Sequence, residues 1–175
     1  MPSSLPPALQ HALIAPAARL DAAGVDWVIA GSTARALAGF AVIPRDLDVE
    51  LDEADVPRAA AAVGLEAGRA IDERGSSLRA VGQFAAHEVD LTGGLTLRGP
   101  GGLLAADFPL VRRFTRPINV AGHEVPVAPV EEQIARATVL GDAGRLARIA
   151  REAPPGYARD ETYLALRLAA ASATR

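Results

Sequence analysis

Asp46 and Asp48 stand one residue apart in the run Arg45-Asp46-Leu47-Asp48-Val49-Glu50-Leu51, an acid pair interleaved with aliphatic side chains. Side chains two apart on a strand point to the same face. A strand over 46–51 therefore sends both carboxylates out of the sheet together and sends Leu47 and Val49 into an apolar layer. Clustered carboxylates repel unless something positive compensates them, and hard divalent cations such as magnesium take carboxylate oxygens as ligands. About one short helix earlier comes a strand-to-turn signal, Val28-Ile29-Ala30-Gly31-Ser32. Gly31 leaves room for a close approach to the backbone, and Ser32 offers a hydroxyl and an amide at a helix start, where orphan N–H groups attract phosphate. A third acid, Asp90, lies in His87-Glu88-Val89-Asp90-Leu91, again with strand-like alternation. The chemistry these residues could do is to hold a divalent cation beside a phosphate.

The elements that must position them follow from periodicity. Pro7 to Ala23 reads as an amphipathic helix with Leu9, Leu13, Ala17 and Leu20 on one face, closed by Gly24. Residues 26–30 form a short apolar strand, and a helix from Thr33 to Ala38 stops at Gly39. Asp55 to Val63 predicts another helix, ended by Gly64. Two strands near 77–81 and 87–91 flank Gly82-Gln83 and predict an antiparallel pair. Gly93, Gly94, Gly99, Gly101 and Gly102 read as a loop. A hairpin over 116–127 turns at Ala121-Gly122, and a helix starts near Pro129, where Glu131 and Glu132 suit its positive end. Helices fill most of the remainder, with Pro154-Pro155-Gly156 before the last.

Composition narrows the mechanisms. At 175 residues the chain is expected to form one domain, with a core over about 25–130 and a helical C-terminal part over about 130–175. Half of it is apolar but only 4% is aromatic, so Ala, Val, Leu and Ile must build the interior. Every basic residue other than histidine is arginine, which excludes a lysine base, a Schiff base or a phosphate-loop lysine. The absence of cysteine excludes disulfides, thiolate catalysis and cysteine zinc sites. The net charge of −3 argues against a surface that grips nucleic acid everywhere, while leaving room for a local arginine cluster such as Arg112, Arg113 and Arg116. No apolar run approaches a membrane span of about 18 residues, so no membrane partner and a cytoplasmic location are expected.

Gly31-Ser32, then Asp46-x-Asp48, then Asp90, in that order, resembles the nucleotidyltransferase superfamily with the polymerase-beta-like fold. Residues 126–132, Pro-Val-Ala-Pro-Val-Glu-Glu, are similar to the strand and helix start that follow the core in small stand-alone bacterial members, including the AbiEii-like toxins. The resemblance implies an α+β fold: a mixed, mostly antiparallel sheet with helices packed on one face and a helical C-terminal part. It implies a magnesium-dependent transfer of a nucleoside monophosphate from a nucleoside triphosphate to a hydroxyl of RNA (tRNA), protein or a small molecule such as an aminoglycoside, with release of pyrophosphate. Asp46, Asp48 and Asp90 would be the catalytic acids and the ligands of two Mg2+ ions, with Mn2+ as a substitute. Gly31, Ser32, Arg35 and Arg45 would bind the nucleotide, ATP among the candidates, with a salt bridge at the edge of the site as the alternative for each arginine.

Alternatives stay open at this stage. Glu88 shares a strand face with Asp90, and Glu50 continues the alternation of Asp46 and Asp48, so either could join the acids. The small toxin-like members carry a lysine in the helix after the core and an aspartate beyond it. Here Arg136 stands where that lysine would be, and the later stretch reads Arg145-Leu146-Ala147-Arg148, with no acid. That divergence motivates a second expectation, a catalytically silent nucleotide-binding domain or one half of a toxin pair with a cognate antitoxin. A metal-dependent phosphohydrolase ranks last, because His11, His87 and His123 have no metal-binding spacing.

Overall fold

A computed structural model describes residues 5–84 and 87–172. Eight strands form one mixed sheet: β1 (Trp27–Ile29), β2 (Asp46–Leu51), β3 (Gly68–Asp72), β4 (Gly75–Phe84), β5 (His87–Gly99), β6 (Gly102–Ala105), β7 (Arg116–Val120) and β8 (His123–Val127). Their order is β3-β4-β5-β2-β1-β8-β7, with β6 paired to the far end of β5. Only β1 with β8 and β2 with β5 run parallel. The α+β architecture and its mostly antiparallel sheet are as the resemblance implied.

Alternation decides which way β2 faces. Leu47, Val49 and Leu51 are buried, while Asp46, Asp48 and Glu50 keep partial exposure on the opposite side. The apolar side joins a core that includes Leu9, Leu13 and Leu20 of α1 (Pro7–Ala22) and Val56, Ala59 and Val63 of α3 (Val56–Val63). Gly64 closes α3 in the left-handed conformation, as its position predicted. A second core forms where α5 (Val130–Leu140), α6 (Ala143–Glu152) and α7 (Glu161–Ser172) meet Phe40 and Leu104. Alanine supplies much of both interiors, which lets the elements approach closely.

Two predicted features change. The glycine-rich stretch is not a loop: β5 runs on to Gly99 and turns back through Pro100-Gly101 into β6. Its glycines serve close packing instead, since a Cβ on Gly99 would lie 2.3 Å from the Val139 carbonyl oxygen and one on Gly101 2.7 Å from Val139 Cα. Likewise β4 extends through Gly82-Gln83 to Phe84, so the connection to β5 falls at 85–86, outside the described residues. Strand β3 and helix α4 (Phe108–Arg113) had no clear periodic signal. They are short, and β3 is an exposed edge with little apolar alternation.

Candidate active site

The register of β2 and β5 brings the predicted acids together. Asp48 lies directly beside Asp90, and Asp46 beside Glu88, across a parallel pair. Asp46, Asp48, Glu50, Glu88 and Asp90 therefore share one face of adjacent strands. Of these, Glu88 is exposed, at the rim.

The turn after β1 holds the pair from the other side. The Ala30 amide donates to the Asp48 carbonyl (2.8 Å), and the buried Thr33 hydroxyl to the Asp46 carbonyl (2.8 Å). Ser32 Oγ donates to Asp46 Oδ1 at 3.2 Å. Gly31, with φ of 57°, sits against the Asp48 carboxylate: a Cβ there would lie 1.6 Å from Asp48 Oδ2. The glycine is thus required by the aspartate. Helix α2 (Gly31–Leu37) has only seven residues.

Of the two roles open to Arg35, the structure shows the salt bridge. It is buried, its Nε donates to Glu152 Oε2 at 3.0 Å, and its Nη1 donates to Gln133 Oε1. Gln133 in turn donates through Nε2 to the Gly31 carbonyl at 2.8 Å. Arg35 and Gln133 so clamp the glycine turn to α5 and α6. Arg45 is exposed just before β2, at the entrance to the acidic strand.

Asp90 is gripped by a residue that sequence reading passed over. Arg79 of β4 donates to both of its oxygens, through Nε at 3.1 Å and through Nη2, and Thr92 Oγ1 donates to Oδ1 at 3.0 Å. Glu50 is equally engaged: Arg136 of α5 forks onto it at 2.6 and 2.7 Å. Arg136 also donates through Nε to Glu132 Oε1 (3.0 Å), and the buried Glu132 accepts from Arg167 and Tyr163 of α7. Glu131 and Glu132 are therefore not solvated residues of a helix start. Glu131 accepts from the Tyr157 hydroxyl and the Asp160 amide.

Burial, together with the neighbouring charges of Asp46, Asp90 and Glu50, raises the Asp48 carboxyl from 3.8 to about 6, opposed by Arg145. The site thus asks for positive charge. Three carboxylates offer the hard oxygens a divalent cation takes, so the donor set fits magnesium in chemistry. It is not closed around a cation as it stands. Ser32 holds Asp46 and Arg79 holds Asp90, and among the described residues no group of three acid or histidine side chains is arranged to hold an ion. Asp48, Asp90, Glu50, Gly31 and Gln133 line a cavity of about 310 Å³, roofed by Arg79, Arg136 and Arg145 and by the β3–β4 turn.

The arrangement of strands and helices is that of the nucleotidyltransferase fold. Among solved structures the chain is similar to a Thermotoga maritima protein provisionally assigned as a nucleotidyltransferase, with a TM-score of 0.70, 20% identity, and coverage of 84% of this chain and 93% of that one. It is also similar to the antibiotic-resistance factor ANT(2'')-Ia, with a TM-score of 0.52, 17% identity, and coverage of 94% of this chain and 84% of that one. No protein-family model and no curated protein matches the sequence. Among the described residues, no helix is long and apolar enough to cross a membrane.

Proposed function

We propose that this chain is a magnesium-dependent nucleotidyltransferase that moves a nucleoside monophosphate from a nucleoside triphosphate to a hydroxyl. The observation that carries the reading is the side-by-side register of Asp48 and Asp90, with Asp46 on the same face and the Gly31-Ser32 turn against the pair. Asp46, Asp48 and Asp90 would hold two Mg2+ ions, or Mn2+ in their place. When bound, these ions neutralise charge on the phosphate oxygens and lower the pKa of the attacking hydroxyl.

The chain's own residues supply orientation. The acceptor oxygen attacks the α-phosphorus, the bond from phosphorus to the bridging oxygen breaks, and pyrophosphate leaves with the electron pair. The hydroxyl proton passes to Asp90, which Arg79 must release. Ser32 and Arg45 flank the acid strand on the side where the triphosphate would enter. The clamp made by Arg35 and Gln133 keeps the Gly31 turn from shifting as the substrate binds. RNA, a protein hydroxyl and a small molecule are all compatible acceptors.

The test is transfer of label from an α-labelled triphosphate, with magnesium or manganese, over a panel of these three acceptor classes. Wild type should release pyrophosphate and label one class, and Asp48→Asn should lose at least about a thousandfold in rate. Equal rates in the two proteins would refute the assignment.

The grip of Arg79 on Asp90 favours a second reading, a nucleotide-binding domain that does not turn over. On the resemblance to AbiEii-like toxins, such a domain would act together with a cognate antitoxin. Triphosphate binding without pyrophosphate release on any acceptor supports that version.

A further inference from the structure

Arg145 is a cation of this cavity that carries an unsatisfied donor. Its backbone is fixed, because the Asp142 side chain caps α6 by accepting from the Arg145 amide at 2.8 Å. Its side chain lines the cavity together with Gly31, Asp48 and Gln133. The Nε atom is buried and donates to nothing, and among the described residues no carboxylate makes an ion pair with this guanidinium. Its neighbouring arginines do not relieve it. Arg136 is committed to Glu50 and Glu132, and Arg35 to Glu152 and Gln133. Burial, with Arg136, Arg35 and Arg148 nearby, holds the Arg145 pKa below its usual range, opposed by the Asp142 carboxylate.

A buried donor without an acceptor destabilises the protein that carries it, and like charges add to the cost. Arg145 therefore brings an unpaired donor into the cavity that Asp48 and Asp90 line. A guanidinium is suited to bidentate contact with phosphate oxygens, and such contacts are stronger than neutral hydrogen bonds. We propose that Arg145 recognises the polyphosphate of the incoming nucleotide, binding the pyrophosphoryl part that becomes the leaving group. This rests on the nucleotidyltransferase reading, and it adds a specificity residue that neither the sequence motifs nor the fold assign.

The experiment is calorimetry on the full chain with α,β-methylene-ATP and with inorganic tripolyphosphate, each with magnesium, alongside thermal melts without ligand. Wild type, Arg145→Gln, Arg145→Lys and the exposed neighbour Arg148→Gln are compared. Arg145→Gln should weaken both ligands by about tenfold or more and leave the ligand-free melting temperature unchanged or higher. Arg145→Lys should recover part of the affinity, and Arg148→Gln should match wild type. Binding by Arg145→Gln as tight as wild type overturns the inference alone. A fall in its ligand-free melting temperature also overturns it, since Arg145 would then be a structural cation. Failure of wild type to bind either ligand removes the nucleotide reading itself, and the inference with it.

Discussion

Gly31 and Asp48 compete for one volume: the place where a side chain would begin on Gly31 is filled by the Asp48 carboxylate, 1.6 Å from its Oδ2. The left-handed backbone at Gly31, φ 57°, adds a conformational cost for any other residue. Gly31→Ala should therefore destabilise the fold by about 2 kcal/mol or more and displace the acid. Pairing Gly31→Ala with Asp48→Ala should recover a measurable part of that loss, because the clash with the carboxylate is then gone and only the Cβ of residue 48, at 2.9 Å, remains close. Urea melts of the single and double variants check it, and strict additivity would rule out the clash.

Asp48 makes the free protein sensitive to pH in an unusual direction. Its carboxyl is raised from 3.8 to about 6, so the folded state holds a proton that the unfolded state releases over that interval. The contribution of this group is complete below pH 4 and is lost as pH rises through 6, an effect of about 3 kcal/mol. Asp48→Asn should thus raise the metal-free melting temperature at pH 7.5 by about 6–12 °C while removing transfer. It should have little effect at pH 4. A melting temperature at pH 7.5 lower than that of wild type would contradict the electrostatic account.

Arg79 and a divalent cation want the same carboxylate. Arg79 donates to both oxygens of Asp90 from an adjacent strand and is itself partly exposed, so it can swing away. Arg79→Ala should lower the magnesium concentration for half-maximal transfer by about three- to tenfold, since one competing cation is removed. A magnesium titration of initial rates measures this. A higher magnesium requirement in the variant would show instead that Arg79 orients Asp90 for binding.

Glu132 carries the attachment of the C-terminal helices. It is buried and accepts from Arg136, Arg167 and Tyr163, while Arg136 continues to Glu50 on the acidic strand. Burial alone would raise its pKa, yet the Arg136 and Arg167 guanidiniums hold it below the usual carboxylate range. Glu132→Ala would leave Arg167 without its carboxylate in the interior, while Arg136 keeps Glu50, and should cost about 3–5 kcal/mol. Chemical denaturation is the measurement. A loss below about 1 kcal/mol would mean that solvent replaces the missing carboxylate.

Much of this architecture was legible along the chain. The alternation of residues 46–51 placed two acids on one side and Leu47 and Val49 on the other, because a strand has a period of two. Gly64 ended its helix where a left-handed residue was needed, and the turn at Ala121-Gly122 joined β7 to β8 as read. The glycines after residue 92 misled, because glycine marks a close approach of backbones as readily as it marks a loop. Gly99 and Gly101 lie against α5, which comes some 30 residues later, and no local pattern announces that contact.

The sequence by itself determined the acids, their shared face and the glycine-serine turn, since each depends on spacing within one strand or one turn. Only the tertiary structure decided what holds each acid. Asp48 faces Asp90 through a register between strands some 40 residues apart. Arg35, open to a phosphate or a salt bridge, was drawn to Glu152 and Gln133, and Arg79 reached Asp90 from the next strand. Long arginine side chains span several ångströms and pair with whichever carboxylate the packing brings within reach. Their partners belong to the assembled sheet and helices, and the local sequence around each arginine does not contain them.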